Sequence, residues 1–589
     1  MSSVHSKLSR IRRINSIHSM KYEVETGNCK VAVKLPFVVG VIGDFSGTPT
    51  QKVKALYDRK FVQIDRDNLD EVMKQMTPGL NLRVENTLAG DGSDLDIQLN
   101  FQSMADFEPA RVVAQVAPLS KLLEIRNQRL RELPEADESQ TDDKQVKSIR
   151  NEIVDIDGRI SKQLAVIMHH EAFQRLEGSW RGLCYLVMNS ETGMDLKIRV
   201  LNCSKKDLQK DLEKAAEFDQ SDFFRKMYEA EFGMPGGTPY AVLIGDFEFQ
   251  NHPDDIAMLR NMSSIAAAGF CPFIGSTGCE MFGFDSWKEL NAPQDISKIF
   301  DTPRYTSWNS FRESENSRFV VLTMPRTLAR LPYGADTTPI DEFEFEEVML
   351  GPDKQSIIVA HESYCWMSTA FVMGARLSDA FARDGWCTSI RGFEGGGKVE
   401  NLPAHVVRAE NGDVEIRCPT EVLISDRREK EISDLGFLPL CYLKDRDCAV
   451  FFGGQTTQKP KKYESKVGDE ATANAAICAR LPYAMATSRI VHYLKCIARD
   501  KFSDIMERDD YEKYLNRWIM DYVTPDGIVG HEFKARSPFA AAAIELGEVS
   551  GKIGSYSVAA FLRPWLQFEE LTASIRITFD IPRAASTNG

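Results

Sequence analysis

Leu35-Pro36-Phe37-Val38-Val39-Gly40-Val41-Ile42-Gly43-Asp44-Phe45-Ser46-Gly47 is the stretch that decides the fold. From Leu35 to Ile42 nearly every residue is apolar. A strand of that kind has no face to give to water and belongs in a sheet covered on both sides. Gly43 to Gly47 then reads as a turn. The pattern returns at Val242-Leu243-Ile244-Gly245-Asp246-Phe247, an echo of Gly40 to Phe45. Two similar strand-to-turn units hint at paired halves of one fold, although chance produces such echoes about as often.

Downstream of residue 178, expected strands at 196–201, 240–244 and 270–274 alternate with expected helices at 205–217 and 254–268. This alternation implies an α/β layer. Upstream, residues 20–25 alternate apolar and polar side chains, the period of a strand with one buried face, and Gly27-Asn28 breaks it. Further strands are expected at 81–88 and 95–101. Ser103 followed by Asp106 has the spacing of a capping box and opens a broken helix towards Leu133. Residues 134–144 carry no large apolar side chain and read as a linker. Val146, Ile149, Ile153, Ile156 and Ile160, continued by Leu164 and Ile167, form the stripe of a helix packing on one partner helix, in this chain or another. Later helices are expected at 361–382, 427–435, 471–499 and 509–522. A hairpin is expected at 544–549 and 556–562, and a final strand at 571–581 with strict alternation.

The 589 residues, 43% hydrophobic and 27% charged, fit roughly three to four soluble domains. A net charge of −14 argues against nucleic-acid binding through bulk positive charge. The twelve cysteines contain no CxxC and no paired zinc spacing, and read as reduced, buried thiols. No apolar run reaches membrane-spanning length. The basic, acid-free first 21 residues have a composition shared with mitochondrial transit peptides. They run straight into the 20–25 strand, which favours an arm.

Candidate chemistry is sparse. Gly392-Phe393-Glu394-Gly395-Gly396-Gly397-Lys398-Val399 meets the G-x-x-x-x-G-K spacing, but Val399 stands where a Mg²⁺-binding hydroxyl is needed, and Glu394 would face phosphate. A glycine turn joining strands is the better reading. His169 and His170 are neighbours on a helix, about 100° apart, and cannot easily share a metal. They read as caps of the helix that precedes them. Lys459-Pro460-Lys461-Lys462 is a basic spot, best read as a solvated loop.

Several stretches nevertheless carry a resemblance. Tyr22-Glu23-Val24-Glu25-Thr26-Gly27, the 35–47 run, Arg59-Lys60-Phe61-Val62-Gln63-Ile64-Asp65 and Asp106-Phe107-Glu108-Pro109 resemble the small sheath subunit of type VI secretion, the TssB or VipA family. Leu176-Glu177-Gly178-Ser179-Trp180-Arg181-Gly182-Leu183, Phe311-Arg312-Glu313-Ser314-Glu315, Arg330-Leu331-Pro332-Tyr333-Gly334, Cys418-Pro419-Thr420-Glu421, Phe451-Phe452-Gly453-Gly454-Gln455, Leu515-Asn516-Arg517-Trp518-Ile519 and Phe561-Leu562-Arg563-Pro564 resemble the large subunit, TssC or VipB. In the family these are usually two polypeptides; here one chain holds both.

That resemblance implies an α/β, mixed α+β fold with sheath-type core domains and an inter-subunit β-sheet made from the N- and C-terminal strands. It divides the chain into an arm (1–27), a small-subunit-like region (28–133), a linker (134–148), a large-subunit-like region (149–542) and a C-terminal β region (543–589). Met20, Tyr22 and Val24 at one end, and Ile575, Ile577 and Phe579 at the other, are the implied exchanged-strand residues. Thr26, Gly27 and Asn28 begin the implied contraction tether, which runs to Lys34. No catalytic, cofactor or metal residue is expected. The implied partners are further copies of the chain, an Hcp-like inner tube and baseplate components, with no nucleic acid and no membrane insertion. A ClpV-type unfoldase is a family partner, but the large-subunit extension gripped in some members is mostly missing here. The implied place is the bacterial cytoplasm, on an envelope-anchored baseplate. The alternatives are the sheath of a related phage-tail-like contractile injection particle and a nucleotide-binding α/β enzyme using the 392–398 loop.

Overall fold

The computed structural model describes residues 20–26, 29–49, 53–133, 144–234, 236–292, 295–347, 361–408, 414–444, 446, 448–463, 468–501, 508–524, 536–548, 556–565 and 575–581. The chain enters with β1 (Tyr22–Thr26) and β2 (Cys29–Val33). It continues through β3 (Phe37–Gly43) and β4 (Val62–Ile64) to two paired helices, α1 (Ala117–Glu132) and α2 (Lys144–Met168). Helix α3 (Glu171–Met188) leads to β5 (Leu196–Asn202), β6 (Tyr240–Phe249), β7 (Phe273–Thr277) and β8 (Val320–Met324). The short pair β9 (Thr327–Leu328) and β10 (Trp366–Met367) is followed by α4 (Thr369–Asp384), β11 (Lys398–Glu400), α5 (Asp426–Asp434), β12 (Leu438–Pro439) and β13 (Cys448–Val450). Helices α6 (Gly468–Cys478), α7 (Leu481–Lys501) and α8 (Arg508–Met520) precede β14 (Phe539–Glu548), β15 (Tyr556–Pro564) and β16 (Ile575–Ile581).

The main sheet has the order β12-β8-β7-β6-β3-β5-β4, and only β4 runs antiparallel to its neighbour. Beside the central strand β6 lies β3, buried along its whole length. Val41 lies opposite Val200 of β5 on one side and Ile244 of β6 on the other. The echo at 242–247 is therefore the parallel neighbour of the stretch it resembles. Alternate residues of β3 feed opposite faces: Phe37, Val39 and Val41 join one core, and Val38 and Ile42 the other. Each such side chain is worth about 1.5–3 kcal/mol when buried, so neither face tolerates a polar residue. The small-subunit-like and large-subunit-like regions thus share one sheet, with β3 and β4 from the first and the other five strands from the second.

The isoleucine stripe finds its partner within the chain. Ile153, Ile156, Ile160, Leu164 and Ile167 are buried, and across the helix pair Arg126 grips Asp157 with Nε at 3.0 Å and Nη2 at 3.3 Å. The capping box forms as its spacing predicts, with Ser103 N donating to Asp106 Oδ2 at 2.9 Å, although it opens a 3₁₀ turn rather than an α-helix.

Two expected helices are corrected. Helix 361–382 begins only at Thr369, because Trp366–Met367 is spent pairing with β9, and the Ser368 hydroxyl caps the helix by accepting from Ala370 N. Helix 471–499 is two helices. Pro482 lies in the first turn of α7, where its missing N–H costs nothing, and Arg480 just before it bridges to Gln455 instead.

A third, smaller core lies apart from the main sheet. There Met20, Tyr22 and Leu35 meet Ile490, Tyr493, Leu494 and Ile497 of α7, Leu515, Trp518 and Ile519 of α8, and Ile544, Leu546, Val558 and Leu562 of the sheet β14-β15-β16.

Candidate assembly site

The N-terminal hairpin β1–β2 and the hairpin β14–β15 pack on the same pair of helices. At the N-terminal end, the Tyr493 hydroxyl of α7 donates to Met20 O at 2.6 Å and accepts from Leu35 N at 3.0 Å. One hydroxyl thereby holds both feet of the β1–β2 hairpin. Arg489, four residues earlier on the same helix face, donates to Pro36 O at 3.1 Å and Leu35 O at 2.6 Å. Its guanidinium lies over the Phe381 and Tyr493 rings, which help offset the cost of burying it. Trp518 Nε1 of α8 donates to Lys21 O at 2.8 Å, and the Tyr22 hydroxyl donates to Asp500 Oδ2 at 2.5 Å. Tyr22 is buried, Val24 is half-buried, and Val31 opposite it on β2 is 49% exposed. The hairpin is therefore covered at its base and uncovered further out.

This arrangement corrects the expected tether. Residues 29–33 of that stretch form a strand: Cys29–Val33 returns alongside β1 in register, from Thr26 opposite Cys29 to Tyr22 opposite Val33. Cys29-Lys30-Val31-Ala32-Val33 alternates as a strand does, and two residues between paired positions is the spacing of a tight hairpin. Gly27 and Asn28 themselves lie outside the described residues. Only Lys34 to Pro36 now links the hairpin to β3.

At the C-terminal end, β14 and β15 form the expected hairpin, and β16 extends it antiparallel, with Ile575 opposite Leu562, Ile577 opposite Ala560 and Phe579 opposite Val558. The sequence places Ile575, Ile577 and Phe579 on one face of β16. The two implied strands do not share a sheet: β1 pairs with β2, and β16 with β15. Residues 571–574 of the expected final strand lie outside the described residues.

The glycine loop does not build a phosphate cradle. A P-loop sends its amides towards a ligand from the start of a helix, whereas this loop runs into strand β11, which pairs with β13. Gly392 N donates to Phe451 O and Gly397 N to Gly392 O, so those amides are already used. Gly392 and Gly396 have φ of 74° and 93°, the left-handed region that glycine serves. The Lys398 ammonium pairs with Glu400 and sits over the Phe393 ring.

His169 and His170 also differ from expectation. His170 caps the following helix rather than the preceding one: its Nδ1 accepts from Ala172 N at the start of α3. His169 instead lies 3.6 Å from Glu347. Among the described residues there is no group of His, Cys, Asp and Glu that could hold a metal, and no helix long and apolar enough to cross a membrane. The cysteines whose side chains are described are free thiols.

Sequence reading missed a set of buried ionic joints, and they fall in the motif stretches. Arg330 donates to Glu177 and to Glu347, two carboxylates sealed from water, and Arg181 adds a second cation on Glu177 at 2.7 Å. Burial alone would raise both carboxyls. The facing Arg330 guanidinium overrides this, keeping Glu177 low and Glu347 at about 2. Gly178, beside Glu177, leaves α3 free to press on β10, where a Cβ would strike Trp366 O. Arg326 holds Glu421 at 2.7 Å, and Trp287 Nε1 donates to the same carboxylate. Arg312 closes the end of α5 through Asp434 O at 2.8 Å and ties it to Thr457 O. The signal available in the sequence was an arginine or glutamate inside an otherwise apolar stretch, which is rarely buried unless paired.

Comparison with known proteins agrees along nearly the whole chain. The family model described as VipA (VC_A0107 or Hcp2) of the type VI secretion system matches residues 9–156. The VipB (EvpB/VC_A0108) tail sheath N-terminal domain matches 150–458, and the VipB tail sheath gpW/gp25-like domain matches 470–581. The type VI secretion system sheath protein TssC1 of Pseudomonas aeruginosa is 47% identical over 442 residues, 74% of this chain and 87% of that protein. The sheath protein TssB1 of the same organism is 44% identical over 109 residues; the match takes in 18% of this chain and 63% of TssB1's own length. Among solved structures, a chain of the anti-feeding prophage baseplate has a TM-score of 0.32 at 10% identity, covering 68% of this chain and 80% of that one.

Proposed function

Because the chain belongs to the type VI secretion sheath family, with its VipA and VipB parts in one polypeptide, we propose that it is a whole sheath subunit, polymerising with further copies around an Hcp-like inner tube. One observation carries the reading. The β1–β2 hairpin and the β14–β15 hairpin, which carries β16, both pack on α7 and α8 outside the main sheet, and β1, β2 and β16 lie at sheet edges. An open edge is a template for another chain's strand. A head-to-tail contact whose rotation does not close a ring propagates as a helix, as a sheath requires.

In this reading the α/β core is the body that moves, and the terminal strands are the mesh that holds neighbours together while it moves. The sheath shortens, drives the inner tube outward and rests on a baseplate in the bacterial cytoplasm. The work is stored in the lattice, so the role is mechanical and non-catalytic, in keeping with a glycine loop that offers no phosphate cradle.

The test is electron microscopy of the purified full chain. Tubes or stacked rings of many copies are expected. A strictly monomeric protein at high concentration, with both termini intact, overturns the proposal.

A further inference from the structure

The C-terminal sheet has two outer edges, β14 and β16, and they are not equivalent. On β14, the Asn516 side chain of α8 takes both backbone groups of Ile544. Its Oδ1 accepts from Ile544 N at 2.9 Å, and its Nδ2 donates to Ile544 O at 2.7 Å. Two residues on, Leu546 N donates to Glu512 Oε2 at 3.1 Å, and Arg508 Nη2 donates to Leu546 O at 2.5 Å. Arg508, Glu512 and Asn516 recur every four residues, so they form one row along α8. Ile544 and Leu546 have the same parity, so their amides and carbonyls turn to the same edge, away from β15.

An amide that gives to and takes from one residue reproduces what a peptide unit of an antiparallel neighbour would offer. Four backbone groups that an incoming strand would need are therefore occupied by side chains of the same chain. Strand β16 forms the other edge of the sheet.

We propose that Asn516, with Glu512 and Arg508, is a built-in strand mimic that closes the β14 edge, so that strands from neighbouring copies join this sheet only on its β15–β16 side. The proposal rests on the strand-addition reading above and adds a direction to it. A sheet open on both edges could recruit strands in either sense, giving branched or amorphous assemblies; a sheet open on one edge grows with one polarity. The side-chain cover also protects the free subunit, as charged and polar blocks protect edge strands generally.

The experiment is the Asn516→Ala substitution in the full chain, read by amide exchange and by electron microscopy. Loss of two hydrogen bonds should speed exchange at Ile544 by roughly tenfold or more in the unassembled chain, with circular dichroism unchanged. In the assembled sample, ordered tubes should fall by at least about tenfold in favour of irregular aggregates, given that edge pairing is then possible on both sides. Unchanged exchange at Ile544, or ordered tubes at the wild-type yield and length, overturns the proposal. If the wild-type chain itself forms no tubes, the sheath reading fails, while the exchange measurement still decides whether Asn516 covers the edge. Should Asn516→Ala not fold, Glu512→Ala removes the acceptor from Leu546 N alone and is read in the same way at that amide.

Discussion

Arg330 and Glu177 form a fork-to-fork ion pair sealed from solvent, with Nε 2.6 Å from Oε1 and Nη2 3.2 Å from Oε2, and the same guanidinium holds Glu347 on its other side. The pair ties α3 to the loop after β9, across one face of the main sheet. Such a joint fixes geometry more than it adds net stability, but breaking it leaves buried charge unpaired.

Replacing Arg330 with Met should therefore destabilise the chain by about 3–5 kcal/mol. The pH dependence should change sign as well. In the wild type the Glu347 carboxyl is held at about 2, below its unfolded value of about 4.3. The stability it contributes is full above pH about 4.3 and is lost as pH falls towards 2. In the variant, Glu177 and Glu347 lose their shared cation, their folded values rise, and stability should instead improve as pH is lowered towards 4. Urea midpoints across pH 3–8 decide this; parallel curves for the two proteins would refute it.

The hairpin root yields a paired insertion test. Two residues inserted after Lys34 lengthen the only link between the hairpin and β3 by about 7 Å. Purified sheaths should then appear long and narrow, where the wild type is short and wide, because slack at the root transmits less pull. The same insertion after Gly27 lies between the paired strands, leaves the Tyr493 and Arg489 contacts in place, and should leave the sheaths short and wide. The opposite pattern would return the tether to residues 26–34.

Deleting residues 572–581 should abolish polymerisation and leave a folded core. Strand β16 pairs only with β15 and sits at the sheet edge, so the main sheet does not depend on it. Sedimentation should report single subunits and circular dichroism an almost unchanged spectrum. An unfolded product would mean that the strand belongs to the core.

Lys398→Ala should change neither assembly nor, beyond about 0.5 kcal/mol, stability. The lysine opens a strand and pairs at the surface with Glu400. Measurable binding of ATP by the wild type and its loss in the variant would revive a nucleotide role for the loop.

The pattern of β3 was legible because burial on both faces leaves a compositional mark that needs no knowledge of neighbours. The isoleucines of α2, the Ser103 capping box and the β14–β15 hairpin were legible as well, because their signals, a period or a short spacing, are local even where the contacts they make are not. The helix boundary at Thr369 was not legible, since residues 366–367 are drawn away by β9, a partner almost forty residues upstream. The return strand Cys29–Val33 is short and its expected reading as a tether rested on the Gly-Asn break and the few apolar residues of 26–34, which do not show that the chain turns back to pair with β1. The ion-paired motif residues were visible as charges in apolar surroundings, but their partners were not, because Arg330 and Glu177 are separated by 153 positions.

The sequence by itself determined which segments must be buried, which strands have one face to cover, and that the chain belongs with sheath proteins. Periodicity and motif order are local properties, and a single chain carries them unaided. Tertiary structure alone decided that β3 sits between β5 and β6, that the β1–β2 and β14–β15 hairpins pack on α7 and α8, and that α8 side chains take the outer backbone groups of Ile544 and Leu546 on β14. Those outcomes depend on hydrogen bonds between groups far apart in sequence, such as Tyr493 with Met20 and Asn516 with Ile544. A backbone edge carries no signature of its own; it is open or closed according to what the rest of the fold places beside it.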